Sequence, residues 1–128
     1  MPITGVDHVV VRVKDLDAGI KDYQSFGLEL ERTAETPGIG KQAFFPLADG
    51  GFIELVAPTD PNSAVGKAIE GRGEGIHTIA VAVEDMEKTV EALKASGARL
   101  IGAENPGGQV FIHPKSAHGV LVQLTAKK

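Results

Sequence analysis

Four polar side chains of this sequence stand among apolar residues in strand-like runs, and their types allow acid–base or metal chemistry. His8 lies in Asp7-His8-Val9-Val10 and Glu54 in Ile53-Glu54-Leu55. Thr78 is followed by Ile79-Ala80, and Gln123 sits between Val122 and Leu124. A free Glu54 carboxylate is a general base, able to take a proton from an acidic carbon within reach. An imidazole together with a carboxylate is also the start of a site for Zn, Mn, Co or Ni. Thr78 and Gln123 offer neutral oxygens, weak ligands beside His and Glu. Burying such groups unpaired costs about 1–3 kcal/mol each. The compensating partner is either a divalent metal held by His8 and Glu54, with Gln123 as a further oxygen, or a hydrogen-bond network joining His8 and Glu54 to Thr78 and Gln123.

The spacing of the four residues shows what must position them. Thr78 follows His8 by seventy residues (78 − 8 = 70), and Gln123 follows Glu54 by sixty-nine (123 − 54 = 69). The whole neighbourhood repeats at that shift. Gly5 to Leu16 (GVDHVVVRVKDL) matches Gly75 to Met86 (GIHTIAVAVEDM), and Phe26-Gly27-Leu28 matches Ser96-Gly97-Ala98. Ile53-Glu54-Leu55-Val56 likewise matches Val122-Gln123-Leu124-Thr125. A near-constant offset over most of each half marks an internal duplication.

Each copy reads as strand, helix and three strands. Residues 5–13 and 75–83 are rich in Val and Ile, which suits strands. Asp15 and Asp85 stand where a helix N-cap belongs, ahead of apolar stripes Leu16, Ile20, Tyr23 and Met86, Val90, Leu93. Gly27 and Gly97 supply the residue free to take positive φ at the helix ends. Further strands are expected near 28–36, 41–47 and 51–57, and near 98–103, 108–113 and 119–125. Pro58 to Glu74 reads as a linker with a short helical piece around 63–70. The expected fold class is α+β: two βαβββ repeats, about 3–57 and about 75–125, forming an open, U-shaped mixed sheet around a cleft within a single domain spanning 1–128.

Strand alternation assigns the faces. Val9, Val11 and Val13 would pack under the first helix, while His8, Val10, Arg12, Phe52 and Glu54 turn the other way. In the second copy Ile79, Val81 and Val83 lie under the helix, and Thr78, Ala80 and Ala82 face away from it. His77 is one position from Thr78 and therefore points oppositely, as a partly exposed structural histidine. His113 lies in the turn His113-Pro114-Lys115-Ser116, where a structural role is expected. Lys115 and Ser116, with Arg72, are candidates to meet phosphate or carboxylate groups; a solvated loop is the alternative.

Composition excludes several function classes. The 128 residues carry a net charge of −4 with basic residues scattered, so no nucleic-acid footprint is present. The absence of cysteine removes disulfides, thiolate ligands and thiol nucleophiles. No apolar run approaches the roughly 18 residues of a membrane span, and the first residues lack the pattern of a secretory leader, so a cytoplasmic protein with no membrane partner is expected. The Gly-rich run Gly71-Arg72-Gly73-Glu74-Gly75 is not a P-loop, since it has no following Lys-Ser/Thr and leads into a strand.

Taken in order, Asp7-His8-Val9, Ile53-Glu54-Leu55 with Pro58, Gly71 to His77, His113-Pro114-Lys115-Ser116 and Gly119-Val120-Leu121-Val122 resemble methylmalonyl-CoA epimerases of the vicinal-oxygen-chelate (glyoxalase/bleomycin-resistance/dioxygenase) superfamily over nearly the whole chain. The resemblance implies a divalent metal on a His, a Gln or Glu, a second His and a Glu. The first two positions fall on His8 and Glu54. The second His falls on Thr78 and the last Glu on Gln123. A further carboxylate used for proton transfer in some members falls near Gln42. What the resemblance implies is an isomerase or lyase performing metal-assisted proton abstraction α to a carbonyl on a small acyl or acyl-CoA substrate, with Glu54 catalytic, Gln42, Thr78, Lys115 and Ser116 binding substrate, and a homodimeric assembly. The alternative is a bleomycin-resistance-like protein that binds small molecules without catalysis.

Overall fold

The computed structural model describes residues 3–104 and 108–126. Its contacts divide the chain into two compact units, residues 8–77 and residues 78–128 together with 1–7. Each is a mixed sheet with one long helix on one face, which is the α+β class expected.

β1 (Ile3–Arg12), which enters the first unit at His8, runs into α1 (Leu16–Ser25), then β2 (Arg32–Thr36), β3 (Gly40–Pro46) and β4 (Phe52–Ala57). β1 pairs in parallel with β4, while β4–β3 and β3–β2 are antiparallel. A parallel β1–β4 pair needs a long crossover, and α1 with β2 and β3 provides it. Asp15 starts α1 as predicted, its side chain accepting from the Ala18 N–H. Gly27, at φ 95°, ends it just beyond the Phe26 cap. The face under α1 is the main core: Val13, Ala43, Phe45 and Leu55, packed by Val11, Leu16, Ile20 and Tyr23.

α2 (Ala64–Arg72) covers part of the opposite face, where Val65 and Ile69 pack on Val10 and Val56. Ser63 caps it by accepting from the Gly66 N–H. Gly66 is fully committed sterically: a Cβ there would lie 2.6 Å from the Asp60 carbonyl and 2.7 Å from that of Pro61.

The second unit repeats the plan with β5 (Gly75–Val83), α3 (Met86–Ala95), β6 (Leu100–Ile101), β7 (Val110–Ile112) and β8 (Leu121–Ala126). β5 pairs in parallel with β8 over residues 78–83, and β8–β7 and β7–β6 are antiparallel. Asp85 caps α3 through the Lys88 N–H. The core under α3 is Val83, Val110 and Leu124 with Met86, Val90, Leu93 and Ile112. β6 and β7 are shorter than the alternation at 98–103 and 108–113 suggested. Among the described residues, no helix is long and apolar enough to cross a membrane.

Candidate functional site

The face of the first unit turned away from α1 carries its polar chemistry, and sheet register decides which side chains meet. Gln42 on β3 pairs with Val56, and Phe44 pairs with Glu54 on β4. Gln42 and Glu54 are therefore diagonal neighbours on one face. Both are buried, Gln42 to 8% and Glu54 to 9% exposure. Gln42 Nε2 donates to Glu54 Oε2 at 2.9 Å. The Thr36 hydroxyl on β2 donates to Gln42 Oε1 at 2.5 Å. A carboxylate oxygen accepts and an amide NH₂ donates, so Glu54 takes the NH₂ end of Gln42, and the Thr36 hydroxyl satisfies its carbonyl end. Glu54 Oε1 is left for another partner.

Beside this relay runs a row of flat groups drawn from four strands. The His8 ring lies parallel to Phe52, centroids 4.3 Å apart and planes 10° from parallel, because β1 and β4 pair His8 with Phe52. Phe52 meets Phe44 at 5.9 Å. The Arg32 guanidinium carbon sits 3.9 Å above the Phe44 ring, following the Arg32–Phe44 pairing of β2 and β3. Glu54 is the cross-strand neighbour of Phe44 and stands two residues beyond Phe52 on β4.

The far end of the same face is closed by α2 and the stretch after it. Arg12 is buried to 5% exposure; its Nε donates to the Gly73 carbonyl and Nη1 to that of Ile76, each at 2.8 Å. Glu74 Oε2 accepts from the Lys14 N–H. These contacts pin the Gly71–His77 run onto β1, a structural task for a Gly-rich stretch that is not a P-loop. Burial lowers the Arg12 pKa, helped by Arg72. His77 is half-buried, and its Nδ1 has no hydrogen-bond partner. Burial lowers its pKa first, with Arg12 and then Arg72 adding to the effect.

The remaining predicted residues lie in the second unit. Thr78 is buried and pairs with Leu121. Gln123 is half-buried, opposite Ala80 on β5 and Phe111 on β7. Lys115 and Ser116 occupy a 3₁₀ turn, Pro114–Ser116, and both are exposed. The Ser116 hydroxyl already accepts from the Arg99 N–H, and His113 Nδ1 accepts from the Lys115 N–H. His113 Nδ1 is thereby engaged within its own turn. Desolvation, Arg99 and Lys115 lower its pKa, in that order.

Structure therefore joins Glu54 to Gln42 and places His8 in the aromatic row. It adds Thr36, Arg32 and Phe44, which sequence reasoning missed. Alternation along β3 from Gln42 points to Phe44, but only the strand register shows what either one touches.

A family model described as glyoxalase-like domain matches residues 6–123. An ethylmalonyl-CoA/methylmalonyl-CoA epimerase of Cereibacter sphaeroides is 33% identical, covering 93% of this chain and 95% of its own length. A lactoylglutathione lyase of Haemophilus influenzae is 37% identical over 82% of this chain and 78% of its own. Among solved structures, a Streptomyces coelicolor methylmalonyl-CoA epimerase variant in complex with 2-nitronate-propionyl-CoA superposes with a TM-score of 0.83 at 33% identity, covering 98% of each chain.

Proposed function

The chain belongs to the glyoxalase-like domain family, and from that premise we propose that it removes a proton α to the carbonyl of an acyl-CoA substrate, in the manner of the epimerases it is similar to. The observation that carries this reading is the buried Glu54 carboxyl group, oriented by Gln42 and paired across the strands with Phe44. Glu54 Oε1 takes the proton as the C–H bond breaks, and the electron pair moves into the thioester carbonyl. Gln42 keeps Oε2 occupied, so one oxygen is presented to the substrate. The phenylalanines exclude water, which strengthens electrostatic contacts at the reacting centre. Returning the proton to the enolate completes an exchange; delivery to its other face completes an epimerisation.

A divalent metal, which the resemblance implies, would find one imidazole in His8 and one carboxylate in Glu54. That carboxylate already accepts from Gln42, and Thr78 and Gln123 are neutral. Among the described residues no group of three His, Cys, Asp or Glu side chains comes together. This donor set does not fit a resident divalent ion.

The test is solvent-deuterium incorporation at the α-carbon of methylmalonyl-CoA, followed by mass spectrometry. Wild-type protein should exchange the proton and Glu54→Gln should lose at least a hundredfold in rate, in the range expected for a general base. Equal rates in both proteins would remove Glu54 from the reaction. The same neutral donors favour a second reading, in which the site binds an acyl-CoA without turnover; binding with no exchange in wild-type protein would establish it.

A further inference from the structure

The two repeats close the same corner of their plan to different degrees. In the first, β3 begins at Gly40 and Lys41 pairs with Ala57, so the end of β4 is covered: Val56 and Ala57 are both buried. In the second, β7 begins at Val110 and pairs with β8 only over residues 110–112. Thr125 and Ala126, the matching residues of β8, are left half-buried and exposed. The uncovered corner is a groove of about 910 Å³ between the first half of α3 and strands β7 and β8. Its counterpart in the first unit, beside Leu16 and Lys41, measures about 430 Å³. The larger space is of small-molecule size, for which roughly 300–1,000 Å³ is usual.

The groove has an apolar floor and an acidic rim. Buried Val110 and Leu124 form the floor with the partly buried Met86 and Val90, so an apolar group seated there is drawn out of water. Asp85, Glu87 and Glu91 line the rim against a single cation, Lys88. Asp85 is committed to the α3 cap through the Lys88 N–H. Glu87 and Glu91 are exposed, and neither side chain has a hydrogen-bond or ion-pair partner among the described residues. Four residues apart, they are neighbours on one helix face, where like charges repel. Glu87 lies in the first turn, where the helix dipole favours an acid; Glu91 lies beyond it. At the shift of seventy the matching residues of α1 are Asp17 and Lys21, an attractive pair at the same spacing. The second copy therefore carries uncompensated negative charge where its groove opens.

We infer that this groove binds a small apolar molecule bearing a positive charge, an aryl- or alkylamine, with its apolar part over Val90 and Leu124 and its ammonium group at Glu87 and Glu91. The site lies wholly in the second unit and shares no residue with Glu54, Gln42 and Thr36. It is independent of the acyl-CoA reading proposed above.

The experiment titrates the full chain with three probes of one shape and different charge: naphthylmethylamine (a cation at neutral pH), naphthylmethanol and naphthoate. Binding is followed by the methyl NMR signals of Met86, Val90, Val110 and Leu124. Those signals should shift with the amine at an affinity about three- to tenfold above that of the alcohol, and least with naphthoate. Glu87→Gln combined with Glu91→Gln should weaken the amine about three- to tenfold, the range for two partly exposed ion pairs, and leave the alcohol unchanged. Unchanged alcohol binding also reports that the groove is intact. Equal affinity for amine and alcohol would make this a neutral apolar site, and tighter naphthoate an anion site; either result would overturn the inference. So would amine binding undiminished in the double variant, or shifts confined to Val10 and Val56 of the first unit. Absence of any shift at millimolar probe would overturn it as well, and sedimentation would then report whether a second copy of the chain fills the groove.

Discussion

Gln42 Nε2 lies 2.9 Å from Glu54 Oε2, and the Thr36 hydroxyl holds the other end of that amide. Three strands contribute one group each, so the only buried carboxyl group of the described residues is oriented by sheet geometry instead of by a loop.

Breaking the relay at its far end should be felt at Glu54. Thr36→Val removes the hydroxyl and leaves the Gln42 carbonyl without its partner, so the amide is held against Glu54 by one contact instead of two. The deuterium-exchange rate should fall about three- to tenfold with KM unchanged, as about 1 kcal/mol of hydrogen bonding is lost. Thr36→Ser should restore it. A rate fall in both variants would show that the threonine methyl, and not its hydroxyl, matters.

Metal dependence separates the two branches of the donor argument. One imidazole and one carboxylate bind divalent ions weakly. Protein purified without chelator should retain less than one equivalent of Co, Mn, Ni or Zn by elemental analysis, and exchange should persist in EDTA. Stoichiometric metal that disappears in both His8→Ala and Glu54→Ala would refute the metal-free mechanism.

Two histidines predict acid sensitivity. His77 and His113 both have pKa values lowered below 6.5 in the folded protein. Below pH 6.5 the unfolded chain takes up protons that the folded protein does not, so their stabilisation is complete above 6.5 and is lost as pH falls toward the lowered folded values. The melting temperature should therefore drop between pH 7 and pH 5.5. His77→Gln should flatten that slope, because burial beside Arg12 and Arg72 is what disfavours its proton; a slope identical to wild type would assign the effect elsewhere.

Gly66 offers a test of how α2 is seated. In an exposed helix, alanine is worth about 1 kcal/mol more than glycine. Here the added Cβ would lie 2.6–2.8 Å from backbone atoms of Asp60 and Pro61, which cannot rotate away. Overpacking of that kind costs about 1–3 kcal/mol. Gly66→Ala should destabilise the protein in urea titrations, and a stabilised variant would show that the 60–61 turn yields freely.

The division between what was legible in the chain and what was not follows the range of the forces involved. Caps at Asp15 and Asp85, the glycines closing both helices and the apolar stripe of each helix depend on neighbours within four residues, so sequence displays them directly. Alternation along one strand, also local, correctly turned Glu54 away from α1 while Ile53 and Leu55 pack under it. The repeat at a shift of seventy exposed the duplicated plan, since copied elements need no long-range information to be recognised.

Partnerships across strands are different. That Gln42 meets Glu54, that His8 lies flat on Phe52 and that Arg32 rests on Phe44 depend on the register of β1, β2 and β3 against β4. A one-residue slip would leave every local pattern unchanged and bring different side chains together. The shortness of β6, and the capture of Gly73 and Ile76 by Arg12 sixty-one and sixty-four residues away, arise from packing in the same sense. By itself, sequence determined that Glu54 would be buried on the face opposite the first helix. Only tertiary structure decided what stands beside it, because cross-strand contacts are selected by the cooperative fit of whole sheets and not by any residue's own neighbours.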